Sequence, residues 1–184
     1  MGAAGRKEIL TSEDYLMLER QSSEKSEFYQ GECFAMAGAS RRHNMLAGRI
    51  FAALLRHLDG KFCFPYMSDM RLDITSHNHY VYPDVFVVCD ESAYIADDMV
   101  NDALVIIEVL SPTTESYDRG KKFLHYQSLD SFAEYVLISQ SNIQVEVFRR
   151  NDAKKWEYEI LTEPSDILHL NALEFSIPIS ELYK

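Results

Sequence analysis

Two acids carry the clearest chemical signal in this chain. Asp84 follows Pro83 at the head of an apolar run that reaches Val88, and Glu108 is the one interruption of the apolar stretch Leu104 to Leu110. A carboxylate set among core residues is costly unless something offsets its charge, so a pair of them points to a metal ion. Oxygen donors of this kind suit Mg2+ or Mn2+ better than Zn2+, and such an ion can activate a water and stabilise the charge that develops on a phosphate oxygen during in-line attack. Lys122, one helical turn after Asp118, would face the same place if its helix crosses the strand of Glu108. The plainer alternatives are strand-end acids that cap loops or meet an arginine, and a Lys122–Asp118 ion pair worth about 0.3 to 0.5 kcal/mol.

The elements that must position these groups follow from pattern. Thr11 and Ser12 before Glu13 and Asp14 start a short helix, and Glu27 to Tyr29 and Glu32 to Met36 flank Gln30-Gly31 as a tight hairpin. Ser40 caps a long amphipathic helix over Arg41 to Leu58, stopped by Gly60. Strands are predicted over Lys61 to Tyr66, Met70 to Ile74 and Val81 to Val88. A surface loop or short helix follows over Cys89 to Asp102. Leu104 to Leu110 has the unbroken apolar character of a central strand, and Glu115 to Ser128 reads as a helix with Asp118, Lys122 and Tyr126 in register. Glu134 to Ile138, Ile143 to Arg149 and Trp156 to Leu161 read as strands, while Ile167 to Lys184 fits either strand or short helix. The order suggests an α/β (α+β) fold, a mixed central sheet flanked by helices. No nucleotide-binding glycine motif follows any strand.

At 184 residues and 47% hydrophobic content the chain suits one domain, residues 1–184, with a sizeable core. No apolar run reaches the roughly 20 residues of a membrane span, and the start, MGAAGRKEIL, lacks the apolar middle of a secretory signal, so a cytoplasmic protein is expected. Cys33, Cys63 and Cys89 stand far apart with no CxxC pair, and are expected to be reduced, buried thiols. The formal charge of −11 argues against non-specific coating of nucleic acid. Its distribution is uneven. Asp84 to Asp118 holds nine acids and no base, whereas Gly38 to Lys61 holds five bases against Asp59. Nucleic acid would approach over the second region and over Arg119, Lys121 and Lys122, with cations quenching the first.

His77-Asn78-His79 offers two imidazoles but no third ligand, and reads as a polar turn. Ser111 lacks the surroundings of a hydrolase nucleophile.

Pro83-Asp84, then Glu108-Val109-Leu110-Ser111-Pro112-Thr113, then Asp118, Lys122 and Tyr126, then Glu134-Tyr135 resemble the Uma-two family of endonucleases within the PD-(D/E)XK restriction-endonuclease-like superfamily. Glu27 and Gly31-Glu32 in the hairpin and His43 early in the long helix match as well, so the likeness runs from about Tyr15 to Phe148. It implies a nuclease-like core, a divalent ion on Asp84, Glu108 and the Val109 carbonyl, and hydrolysis of DNA phosphodiesters. The superfamily's usual lysine, two residues after the strand acid, is replaced here by Leu110. The resemblance makes Lys122 its substitute, ahead of Lys121. Glu27 and His43 would complete the site, unless they are merely packed or hydrogen-bonded. A homodimer through the late Tyr- and Phe-rich strands would supply two sites for a duplex. The alternatives are a nuclease fold kept as a binding module and a phosphodiesterase for RNA or small nucleotides.

Overall fold

The computed structural model describes residues 10–184; the reading of the chain's first nine residues lies outside them. Helix α1 (Ser12–Glu19) is capped by Thr11, whose hydroxyl takes the Asp14 N–H while the Asp14 carboxylate takes the Thr11 N–H. The hairpin β1 (Ser26–Tyr29) and β2 (Glu32–Ala35) turns through Gln30 and Gly31, both at positive φ. Ser40 caps α2 (Arg41–His57) by accepting from the His43 N–H.

The strands fall into two six-stranded sheets and a small hairpin, and the expected mixed sheet is one of the two. One sheet runs β2-β1-β5-β4-β8-β7, built with β4 (Arg71–Ile74), β5 (His79–Val81), β7 (Tyr94–Ala96) and β8 (Met99–Val100). The other runs β12-β11-β10-β9-β6-β3, built from β3 (Phe64–Met67), β6 (Val85–Val88), β9 (Val105–Leu110), β10 (Glu134–Ser139), β11 (Val145–Arg150) and β12 (Trp156–Leu161). Strands β9 and β10 pair parallel and their other neighbours antiparallel, which makes this the mixed sheet. The tail resolves into β13 (Ile167–Leu170), β14 (Phe175–Pro178) and α5 (Ile179–Leu182).

Alternation along β9 divides the core. Val105, Ile107 and Val109 pack with Leu46, Ile50 and Leu54 of α2 and with the tail, whereas Ile106 and Leu110 pack with Leu72, Ile74 and Val81 of the other sheet. The mixed sheet is therefore covered on both sides, as its unbroken apolar strands require.

Three expectations are corrected. Val81 to Val88 is not one strand: Pro83, with no N–H to give a ladder, separates β5 in one sheet from β6 in the other. The Cys89 to Asp102 stretch contains β7 and β8 rather than loop or helix alone. Cys63 and Cys89 form a disulfide, and Cys33 is exposed, so the thiols are not all reduced and buried. Phe64 pairs with Val88, so the two cysteines are the next positions outward on β3 and β6. That register could not be counted from spacing alone. Among the described residues no helix is long and apolar enough to cross a membrane.

Candidate functional site

Register brings the two acids together. Val85 lies opposite Ile107, which puts Asp84 across from Glu108 on one face of the sheet, since directly opposed side chains share a face. The Asp84 N–H donates to Glu108 Oε2 at 3.1 Å, and the Val109 N–H donates to Asp84 Oδ2 at 2.7 Å. Asp84 is thus the first residue before β6, not a residue within it, and the break at Pro83 leaves its carboxylate partly open. Glu108 is 3% exposed.

Lys122 arrives from the helical segment after β9, which is not one α-helix. A turn of α3 (Glu115–Tyr117) passes into a π-turn, Asp118–Lys122, and then into α4 (Phe123–Tyr126). Such π-turns recur at functional sites because the extra residue re-aims side chains. Here Asp118 and Lys122 are both buried, and the Asp118 carbonyl is taken up by the Tyr135 hydroxyl at 3.0 Å. Lys122 Nζ lies 2.9 Å from Glu27 Oε1, 3.2 Å from Glu108 Oε1 and 3.6 Å from Asp118 Oδ1. The Tyr126 hydroxyl donates to Glu108 Oε1 at 2.8 Å. His43 closes the other side, its Nε2 3.2 Å from Asp84 Oδ2 and its ring beside the Val109 backbone. All the predicted site residues, Asp84, Glu108, Lys122, Glu27, His43 and Val109, therefore meet. Lys121 does not: its ammonium lies 3.5 Å over the Tyr29 ring.

The electrostatics are lopsided. Four carboxylates face one ammonium and one imidazole in a nearly closed space. Burial pushes the Glu108 carboxyl upward, and neighbouring acids add to this against the pull of Lys122. Asp118 moves up for the same first reason. Burial opposes the Lys122 charge, yet Glu108 and Glu27 hold its pKa well above the ordinary value, so it stays an ammonium. His43 rises too, because Asp84 outweighs the cost of its burial. The excess negative charge and all-oxygen donors fit a hard dication. No group of three or more His, Cys, Asp and Glu is spaced as a metal cage among the described residues. Mg2+ does not require one, since it commonly uses one or two carboxylates and keeps its waters.

Asp118, read from sequence as a pairing partner of Lys122 and as part of the family resemblance but not as a site residue, proves to be a fourth acid of this group. Its signal was present as the Asp118, Lys122, Tyr126 spacing. His79 is no polar turn. It is fully buried in β5, its Nε2 2.8 Å from the Tyr117 hydroxyl and its Nδ1 2.9 Å from His125 Nδ1.

A mixed sheet flanked by helices, with one acid at the entry to β6, one on the adjacent β9 and a lysine facing them, has the restriction-endonuclease-like architecture. A crystal structure described as "a putative nuclease belonging to DUF820", from Anabaena variabilis, matches it with a TM-score of 0.77 at 19% identity, covering 95% of this chain and 97% of that one. Residues 12–180 match the family Uma2, "Putative restriction endonuclease", and the chain belongs to that family. Two Synechocystis proteins are similar over most of their length. "Uncharacterized protein slr1290" is 32% identical over 95% of this chain and 92% of its own, and "Uncharacterized protein sll1609" is 36% identical over 84% and 87%.

Proposed function

We propose that this protein is a metal-dependent endonuclease that hydrolyses DNA phosphodiester bonds. The observation that carries the reading is the approach of Lys122 to Glu108 from the π-turn, which supplies from a helix the ammonium that Leu110 cannot supply from the strand. Asp84, Glu108 and the Val109 carbonyl would hold Mg2+ or Mn2+. When bound, the ion supplies Lewis acidity toward a phosphate oxygen and lowers the pKa of water. Lys122, kept charged by its acids, stabilises charge on the phosphate but does not serve as a base. Tyr126 orients Glu108, and His43 orients Asp84. Glu27 holds Lys122. The protein would act as one domain per chain, paired in a homodimer so that both strands of a duplex can be cut.

Supercoiled plasmid incubated with Mg2+ or Mn2+ tests this. Nicking by the wild type, its loss in Asp84→Ala and Lys122→Met with unchanged circular dichroism, is the expected result. Nicking retained in Asp84→Ala would overturn the assignment. A second reading, a nuclease fold kept as an interaction module, is favoured by the occupation of both Glu108 oxygens by protein donors. Calorimetry showing no divalent-ion binding would select it.

A further inference from the structure

Residues 32–42 are exposed without interruption, from β2 through the linker into the first turn of α2. Strand β2 is the edge of its sheet and is open on both faces, an arrangement that ordinarily invites pairing or cover. Its position matters because Phe34 lies directly opposite Glu27, and opposed side chains of an antiparallel pair share a face. Glu27 is the residue that reaches Lys122. Phe34, 49% exposed, and Met36, 36% exposed and on the same face two residues on, therefore stand at the rim of the candidate site. Tyr29 is on that face as well, with the Lys121 ammonium over its ring.

The chain then leads into Arg41 and Arg42. Both are exposed, neither enters an ion pair among the described residues, and both occupy the first helical turn that ends in the site residue His43. Acids, not bases, are favoured there by the helix dipole, and this first turn has none. One acid, Glu32, lies at the hairpin end of the stretch. Two apolar side chains followed by two arginines, in a chain of net charge −11, make a local surface complementary to a polyanion that also offers apolar base or sugar edges.

We propose that residues 32–42 form the wall of the site that receives double-stranded DNA, with Phe34 and Met36 lying against bases or sugars in a groove and Arg41 and Arg42 holding phosphates beside the scissile one. This rests on the nuclease reading and adds to it the surface that the duplex meets.

Fluorescence anisotropy of a labelled duplex on the full chain, with Ca2+ in place of Mg2+, separates the two kinds of contact. The double variant Phe34→Ala, Met36→Ala is expected to bind about tenfold more weakly with the same slope of log affinity on log salt. Arg41→Ala and Arg42→Ala are each expected to reduce that slope by about one. All are surface changes, and thermal unfolding checks that they fold. Wild-type affinity and slope in every variant, with plasmid still nicked by the wild type, would overturn this proposal and leave the nuclease reading standing. No binding and no nicking by the wild type would overturn both. A fall in oligomer mass by light scattering in the Phe34, Met36 variant, without loss of DNA affinity, would mark the face as a contact between two copies and overturn it too.

Discussion

Glu108 shows what one residue can reveal. A lone acid in an apolar run is visible in the sequence as a cost needing an offset, and the structure supplies the offset as Lys122, Tyr126 and the Asp84 N–H. Burial raises its pKa to about 8, with Asp118, Asp84 and Glu27 adding to the effect. A cation needs the carboxylate, so Mn2+ affinity should climb as pH rises from 6 through 8 and level off above it. Titration calorimetry at those values checks this; an affinity that is flat across them, or equal in Glu108→Gln, would remove Glu108 from the ligands. His79 was far less legible, because its partners His125 and Tyr117 lie some forty residues on and nothing local announces them. Burial first, then the nearby His125, Lys122 and Lys121 charges, lower its pKa to about 3 from an ordinary 6.5. The unfolded chain therefore binds the extra proton, so this contribution to stability is whole above pH 6.5 and drains away as pH falls toward 3. Thermal melts of His79→Gln should show a shallower loss between pH 6.5 and 4 than the wild type, and parallel curves would refute it.

Elements were legible wherever one period ran unbroken. The helix α2 and the strands β9 to β12 follow their apolar patterns, and the hairpin follows its Gln30-Gly31 turn. Breaks were not. Pro83 was visible in the sequence, but the change of sheet it makes depends on where β5 finds a partner, and the π-turn at Asp118–Lys122 has the composition of ordinary helix. The Tyr135 hydroxyl donates to the Asp118 carbonyl of that turn in a buried place. Tyr135→Phe should cost about 0.5 to 1.5 kcal/mol in urea unfolding, the range for one lost hydrogen bond, and should lower nicking through Lys122. The β3–β6 staple is a second test at this scale. A loop of this size, with a sequence separation of 26, is worth about 3 kcal/mol when crosslinked. Cys63→Ser should lose stability of that order, and addition of reductant should bring the wild type to the same midpoint; an unreduced wild type that melts like the variant would show that the link is not formed.

At the scale of the molecule, two sheets enclose one layer of core, and the candidate site lies beside the Pro83 crossing from one sheet to the other. This geometry gives each chain one set of Asp84, Glu108 and Lys122, which on the proposed nuclease reading would serve one strand of a duplex. The mixed sheet ends on β12, whose outward side chains Tyr158 and Ile160 are 54% and 47% exposed, beside the partly buried Phe148. Apolar side chains grouped on an outer strand suit a two-fold contact in which the same patch meets itself. The net charge of −11 works against association, so the contact would have to be apolar and should tighten with salt, opposite to the DNA binding proposed for Arg41 and Arg42. Light scattering at micromolar concentration is expected to give twice the chain mass, increasingly so from low to moderate salt, and Ile160→Lys to give the chain mass. Cleavage products separate the consequences: the dimer should linearise plasmid, whereas the Ile160→Lys monomer should nick it and stop. A wild type that remains monomeric yet linearises plasmid would show that one chain visits both strands in turn, and the β12 contact would then have no part in cutting.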